Sequence, residues 1–230
     1  SQIGSQSTRQ EILDVNKRQM PVAQIKRAFS LIRLYGFKIH SHLMVNLLGA
    51  TPEADKQDFK TFVTDPGFLP DEIKLYPCAL VSGTQLVQKY REGAWQPYAK
   101  DELVDVLVQD VLNTPPYVRI SRMIRDISAT DILVGNKHTN LRQMVEHELA
   151  AKDVARRVQE IRFREINQQQ VHAAELTLQD FTYTTAVSDE HFLQWVTADN
   201  KIAGFCRLSL PHWDKLTSGA CDVSADELLV

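Results

Sequence analysis

The sequence predicts a mixed α/β chain: a half built of parallel strands covered by helices, a connector, and a shorter run of antiparallel sheet. Three observations predict it. Over the first half, helix-period and strand-period apolar patterns alternate at short spacing, an order that needs crossover connections and so gives parallel pairing. Beyond residue 170 the helix-period pattern stops and strand-period runs follow one another at hairpin spacing. Between these halves, residues 152–165 are dense in charge.

The elements follow in order. Gln2-Ile3-Gly4 fits the end of a strand, and Ser7 or Thr8 then caps a helix expected over residues 8–18, with Ile12 and Val15 inward. Pro21 opens a second helix where its missing N–H costs least; Val22, Ile25, Phe29 and Ile32 recur at three and four, and Gly36 stops it. Residues 37–44 alternate, with Phe37, Ile39, Ser41 and Leu43 on one face. Thr51-Pro52-Glu53 caps a helix carrying Phe59, Phe62 and Val63. Residues 73–76 are the next strand; Pro77 interrupts it, and Ala79-Leu80-Val81 is expected to extend the same layer. Residues 103–112 form an apolar helix closed by Pro115-Pro116, and 117–123 the strand after it. Past Ile127 a helix over 140–151, capped by Thr139, leads into the charged stretch. Strands are expected at 175–185, 192–196 and 202–210, the last two joined by the turn Ala198-Asp199-Asn200-Lys201. Ile202, Gly204, Cys206, Leu208 and Leu210 fall on one face, the mark of an antiparallel sheet.

In 230 residues, 43% are apolar, enough for a real core, which excludes a disordered chain and a disulfide-stapled miniprotein. With 26 Lys plus Arg against 29 Asp plus Glu, the net charge of −3 excludes a highly basic nucleic-acid-coating protein but leaves room for a local basic groove. No uncharged apolar run approaches the ~20 residues of a membrane helix. The opening Ser-Gln-Ile-Gly has neither an initiator Met nor a signal-like stretch, and the chain reads as a fragment entered partway through a strand. Cys78, Cys206 and Cys221 lack metal-ligand spacing, so a reducing, cytoplasmic setting with small buried thiols is expected.

Four groups of residues are candidates for chemistry. Gly4-Ser5-Gln6-Ser7 stands at a strand end before a helix, where ligands gather in α/β architectures; it also fits a plain tight turn with an N-cap. His40 and His42 point the same way on a strand, which suits a metal, but no third ligand is near in sequence, and a hydrogen-bonding role for His42 at a barrel mouth is the stronger expectation. Lys74 and Tyr76 share a strand face and line either a polar interior that holds an anion or a solvated edge. Arg119, Arg122 and Arg125, which do not all share one face, begin a run of positive charge reaching Arg164 that fits either RNA phosphates or a solvated face.

The whole string resembles the catalytic subunit of Elongator and its single-chain bacterial and archaeal relatives. The likeness rests on an ordered set: Ile3-Gly4-Ser5-Gln6-Ser7, Asp14-Val15-Asn16-Lys17-Arg18, Gly36-Phe37-Lys38-Ile39, His42-Leu43-Met44, and Gly49-Ala50-Thr51-Pro52-Glu53. It continues through Pro70-Asp71, Lys74-Leu75-Tyr76-Pro77, Arg119-Ile120, Arg125-Asp126-Ile127, Asn140-Leu141-Arg142, Arg164-Glu165 and Ile202-Ala203-Gly204. That family joins a radical S-adenosylmethionine barrel to a GNAT-type acetyltransferase and modifies the wobble uridine of tRNA to a carboxymethyl form. The resemblance implies that residues 1–127 are the C-terminal part of the parallel β/α barrel, 128–170 the connector, and 171–230 the first antiparallel strands of the acetyltransferase.

By the same resemblance, Gln6, Arg18 and His42 hold S-adenosylmethionine, and Lys74, Tyr76, Arg122, Arg125 and Arg142 bind the tRNA anticodon region. Side-chain chemistry suits these roles, since a guanidinium pairs with a carboxylate, and amides and imidazoles bond ribose hydroxyls. The implied cofactors are S-adenosylmethionine and a four-iron, four-sulfur cluster, with acetyl-CoA as substrate. The cluster cysteines belong upstream of this chain and the acetyl-CoA phosphate loop downstream, so the chain alone is expected to be inactive. Where many bacterial relatives carry zinc-ligating cysteines this chain has Val158, Glu160 and Phe163, so no zinc is expected. Other Elongator-type subunits are implied partners if the source is eukaryotic. The rival expectation is a non-catalytic tRNA- or partner-binding module that keeps the fold without the cluster and acetyl-CoA sites.

Overall fold

A computed structural model describes residues 1–124, 127, 130–136, 140–168, 170–218 and 223. Arg125, Asp126, Thr139 and Cys221 lie outside the described residues, and with them the expectations placed on them.

The chain runs β1 (Gln2–Gln6), α1 (Gln10–Val15), α2 (Val22–Leu34), β2 (His40–Val45), α3 (Pro52–Thr64), β3 (Glu72–Pro77), β4 (Leu80–Val81), α4 (Leu86–Arg91), α5 (Lys100–Leu112) and β5 (Arg119–Arg122). It continues with β6 (Ile132–Val134), α6 (Leu141–Ala151), α7 (Ile161–Arg164), β7 (Thr177–Thr184), β8 (Ser188–Val196), β9 (Ile202–Pro211) and α8 (Trp213–Ser218). Strands β1-β2-β3-β5 form one sheet in that order, every pair parallel, as the helical crossovers require.

The strand period divides this sheet into two unlike faces. Ser41, Leu43 and Val45 of β2 and Ile73 and Leu75 of β3 are buried under the helices, where they join Leu13, Ile25, Phe59, Leu107 and Val111 in the core. Phe29, Phe62 and Phe68 meet one another there with ring centroids 5.4–6.0 Å apart. The opposite face carries His40, His42 and Met44 from β2 and Glu72 and Lys74 from β3, all only partly buried. The helix signals mostly act as expected: the Thr51 hydroxyl accepts from the Ala54 N–H at 3.3 Å, and Gly36, at φ 74, closes α2.

Three expectations are corrected. The helix expected from residue 8 begins only at Gln10, because the hydroxyls of Ser7 and Thr8 are both donated to Asp58 of α3 instead of capping α1. It ends at Val15 rather than Arg18, and the chain turns sharply at Lys17, φ 56. Leu80–Val81 does not extend the parallel layer. It pairs antiparallel with β6 in a separate two-stranded sheet, the chain leaving the layer after the Cys78 N–H has donated to the Val45 carbonyl of β2 at 2.8 Å. The single face expected for Ile202, Gly204, Cys206, Leu208 and Leu210 is split. Val196 pairs with Ile202 and Trp195 with Gly204, so one extra residue on β9 switches the alternation. Ile202 is then 5% exposed and turned inward, while Leu208 and Leu210 are 46% and 48% exposed on the outer face.

The sheet β7-β8-β9 is an antiparallel meander whose inner face, with Phe192, Val196 and Ile202, packs onto the parallel half. Tyr117, just before β5, stacks on Tyr183 of β7 at 3.7 Å with the rings 8° apart. The charged connector is not uniformly solvated: Arg164 is 4% exposed and bonds the Pro116 carbonyl, Gln194 and Asn200.

Candidate functional site

The polar face of the parallel sheet collects most of the residues singled out from sequence. Lateral register places His42 beside Lys74, and Met44 beside Tyr76. Lys74 stands abreast of Arg122, because a bulge in β5 inserts Ser121 between Ile120 and Arg122. His42, Lys74 and Arg122 therefore form one row across three strands, with Tyr76 a step nearer the C-terminal edge. The Tyr76 ring meets His42 edge-on, centroids 5.8 Å apart. His42 in turn meets His40 at 5.8 Å.

One strand further, β1 supplies a site with almost no room to spare. Gly4 shares the polar face with His42, since Gln2 pairs with His40 and side chains alternate. Gln6 takes the left-handed conformation, φ 69, and its amide folds back over Gly4. Arg18 reaches the same place from beyond α1 and donates to the Gly4 carbonyl at 2.7 Å. A Cβ at Gly4 would lie 3.0 Å from Gln6 Nε2 and 3.1 Å from Arg18 Nη2, so a larger residue would push both side-chain ends back from their present positions. The Arg18 Nε–H is buried and finds no acceptor among the described residues. An orphaned guanidinium N–H beside an amide is a ready partner for a ligand carboxylate, and the residues present fit the methionine end of S-adenosylmethionine.

This geometry is held from behind by carboxylates that sequence reasoning missed. Asp58, 3% exposed, accepts from Ser7 Oγ at 2.5 Å, from the Thr8 N–H at 2.8 Å and from the Thr8 hydroxyl, pinning the turn that follows Gln6. Asp55 accepts from the Asn46 N–H at 2.7 Å and from the Tyr98 hydroxyl at 2.8 Å, fixing the loop after β2. Burial pushes the Asp55 carboxyl up to about 6. No spacing pattern marks either aspartate: Asp58 acts on a turn 50 residues away, and Asp55 joins Asn46, 9 residues before it, to Tyr98, 43 residues after it.

Lower on the same face, His40 Nε2 lies 3.2 Å from Ser121 Oγ and 3.6 Å from Glu72 Oε1. Burial lowers the His40 pKa, with Lys74, His42 and Lys38 adding to the effect against Glu72, so the ring is neutral near pH 7. Lys38 pairs with Glu72 at 2.8 Å, and Arg18, Lys74 and Arg122 are further cations on this face. Glu72 was legible in principle from its period-two spacing with Lys74 and Tyr76; Ser121 was not, since the bulge places it. Among the described residues no group of three or more His, Cys, Asp or Glu is arranged to hold a metal ion.

Of the other two predicted tRNA contacts, one falls elsewhere and one is not described. Arg125 lies outside the described residues. Arg142 is on α6, where it donates to Glu160 Oε1 at 3.1 Å and to the Ile120 carbonyl, 16% of its side chain exposed. Glu160 is fully buried and also accepts from the N–H groups of Ile120 and Phe163 at 3.2 and 2.6 Å.

Comparison with known proteins agrees with this architecture. The family model for the radical SAM C-terminal domain matches residues 70–151. The chain is 35% identical over 213 residues to the tRNA uridine(34) acetyltransferase of Dehalococcoides mccartyi, covering 91% of this chain and 46% of that protein. It is 37% identical over 165 residues to the tRNA uridine(34) acetyltransferase of Methanocaldococcus infernus, covering 72% of this chain and 30% of that one. Human Elongator complex protein 3 is 30% identical over 171 residues, 74% of this chain and 31% of its own length. The solved structure of Methanocaldococcus infernus Elp3 with an N-terminal deletion superposes with a TM-score of 0.85 at 32% identity, covering 90% of this chain and 50% of that one. The chain thus spans half or less of each of these relatives. Parallel sheet and antiparallel meander coincide with these likenesses, and over the part it spans the chain is homologous to the tRNA uridine(34) acetyltransferases and Elongator complex protein 3.

Proposed function

We propose that this chain is the part of a tRNA wobble-uridine modifying enzyme that binds S-adenosylmethionine and presents the target nucleoside. In this reading residues 1–127 belong to the radical S-adenosylmethionine barrel, 128–170 to the connector and 171–230 to the acetyltransferase. The convergence of Gln6 and Arg18 over Gly4 carries it, because a buried orphan N–H beside an amide suits an amino-acid carboxylate. Arg18 holds that carboxylate, while Gln6 and His42 bond the ribose hydroxyls. Tyr76 stacks on or bonds a splayed base, and Lys74 and Arg122 hold its phosphates. The iron–sulfur cluster, when bound in the intact enzyme, supplies the electron that cleaves S-adenosylmethionine. Acetyl-CoA is the acyl donor, and the chain alone does not turn over. A cytoplasmic setting belongs to the same reading.

Titration calorimetry with S-adenosylmethionine tests it on the isolated chain. Arg18→Gln is expected to abolish measurable binding, and Gly4→Ala to weaken it at least tenfold while leaving the melting temperature near that of the parent. Unchanged affinity in both variants would remove the assignment. Tightly bound tRNA alongside absent S-adenosylmethionine binding by the parent chain would favour the second reading, a non-catalytic tRNA-binding module; the row His42, Lys74 and Arg122 supports that equally.

A further inference from the structure

The groove between the end of α1 and α4 is where the observations reach past the polar face. It encloses about 480 Å³ and is lined by Val15, Asn16, Lys17, Leu48, Gln85, Leu86, Gln88 and Lys89. Its place in the fold is the carboxyl-terminal edge of the parallel strands, where ligands gather in such sheets. Leu48 follows β2, and its N–H and carbonyl are both bonded by the Asn16 side chain, at 3.2 and 2.9 Å, so the groove floor is fixed. One residue beyond Lys17 is Arg18, so the groove adjoins the site over Gly4.

Its chemistry is one-sided. Among the lining residues there are two lysines, three side-chain amides and three aliphatic groups, and no carboxylate. The surface groove of similar size between α5 and α6, about 460 Å³, sets Asp101, Asp105 and Glu148 against Lys100 and Lys152, and so attracts no anion. In the α1–α4 groove Lys17 Nζ rests 2.5 Å from the neutral Gln85 Oε1; Glu92, beside the lining, accepts from Lys89 at 3.0 Å and from Gln88 Nε2 at 2.7 Å, exposed contacts of the kind that exchange readily for a stronger anion. Val15 is 47% exposed, leaving apolar surface open beside these charges. Cations, amides and an apolar floor together match one unpaired nucleotide: phosphate to lysine, base edge to amide, base face to aliphatic surface.

We propose that this groove is a second nucleotide subsite, which takes an unpaired residue of the RNA strand next to the nucleoside on the polar face. It rests on the reading of that face as an RNA site and adds a separate contact. The strand would cross the sheet edge from Lys74 and Tyr76 to Lys17 and Lys89.

The test is fluorescence polarisation of the chain with a labelled anticodon stem-loop RNA over a series of salt concentrations. Lys17→Glu and Lys89→Glu are each expected to weaken binding about tenfold and to lower the salt slope by about 1, as loss of a phosphate contact does. Lys60→Glu, the same charge change on an exposed part of α3, is expected to alter neither. Melting temperatures within the parent's range exclude misfolding of these exposed-site variants. If reversal at Lys74 or Arg122 weakens RNA binding while Lys17→Glu and Lys89→Glu match Lys60→Glu, the subsite is wrong and the polar-face reading stands. If Lys74 and Arg122 reversals also have no effect, both fall.

Discussion

Arg207 of β9 donates to Asp71 of the loop before β3 at 2.7 Å, and this bond ties the antiparallel sheet to the strand that carries Lys74 and Tyr76. Asp71 is 2% exposed and also accepts from the Ile39 N–H at 2.7 Å, with Arg33 3.7 Å away. Arg207 in turn donates to the Tyr117 carbonyl at 2.5 Å, just ahead of β5. One guanidinium thus fixes the starts of two parallel strands.

Removing it should be costly. Arg207→Ala is expected to destabilise the fold by about 2–3 kcal/mol, less than the loss of a sole buried partner because Arg33 still compensates Asp71. Urea unfolding measures this. A change below about 0.5 kcal/mol, the scale of an ordinary surface substitution, would show that the junction does not depend on the bond.

Asp110 makes the stability depend on pH. It is 1% exposed, neither carboxyl oxygen has a hydrogen-bond partner among the described residues, and burial, with Asp55 and Asp58 nearby, raises its pKa well above 3.8. The folded state therefore keeps a proton that the unfolded chain has already lost, and stability falls as pH rises through the interval between the two values. Asp55 adds to the same trend between 3.8 and about 6. The parent should be more stable at pH 5 than at pH 8, and Asp110→Asn should gain most at pH 8 and flatten the slope. Parallel pH profiles for the two proteins would contradict this.

Asp58 should act on ligand binding through the Gln6 turn. Asp58→Ala releases Ser7 and Thr8 and is expected to weaken S-adenosylmethionine binding at least tenfold by calorimetry, while Asp58→Asn, which keeps an acceptor for the Thr8 N–H, recovers part of the affinity. A purely structural role would lower the melting temperature of both variants without separating their affinities.

Arg142 and Lys74 should part company. Arg142→Gln strands the buried Glu160 and is expected to cost about 3 kcal/mol with no change in the salt slope of RNA binding. Lys74→Gln is expected to lower that slope with little effect on stability. The reverse pattern would return Arg142 to the RNA surface.

Periodicity and punctuation were enough to read the order of helices and strands. Pro21, Gly36, Thr51 and the turn at Asn200 act locally, through backbone geometry and near-neighbour hydrogen bonds, so their meaning survives without the fold. The strand period likewise put His42 with His40, and Lys74 with Tyr76, on shared faces. Contacts distant in sequence could not be read this way. Ser7 and Thr8 look like caps until Asp58 claims their hydroxyls across 50 residues or more. Arg142 looks like a free cation until Glu160 takes it, and Ile202 shares a face with Leu208 until a bulge parts them. A local pattern states what a residue is able to do; only packing decides which partner reaches it first, because a buried polar group must be satisfied by whatever the fold brings within about 3 Å.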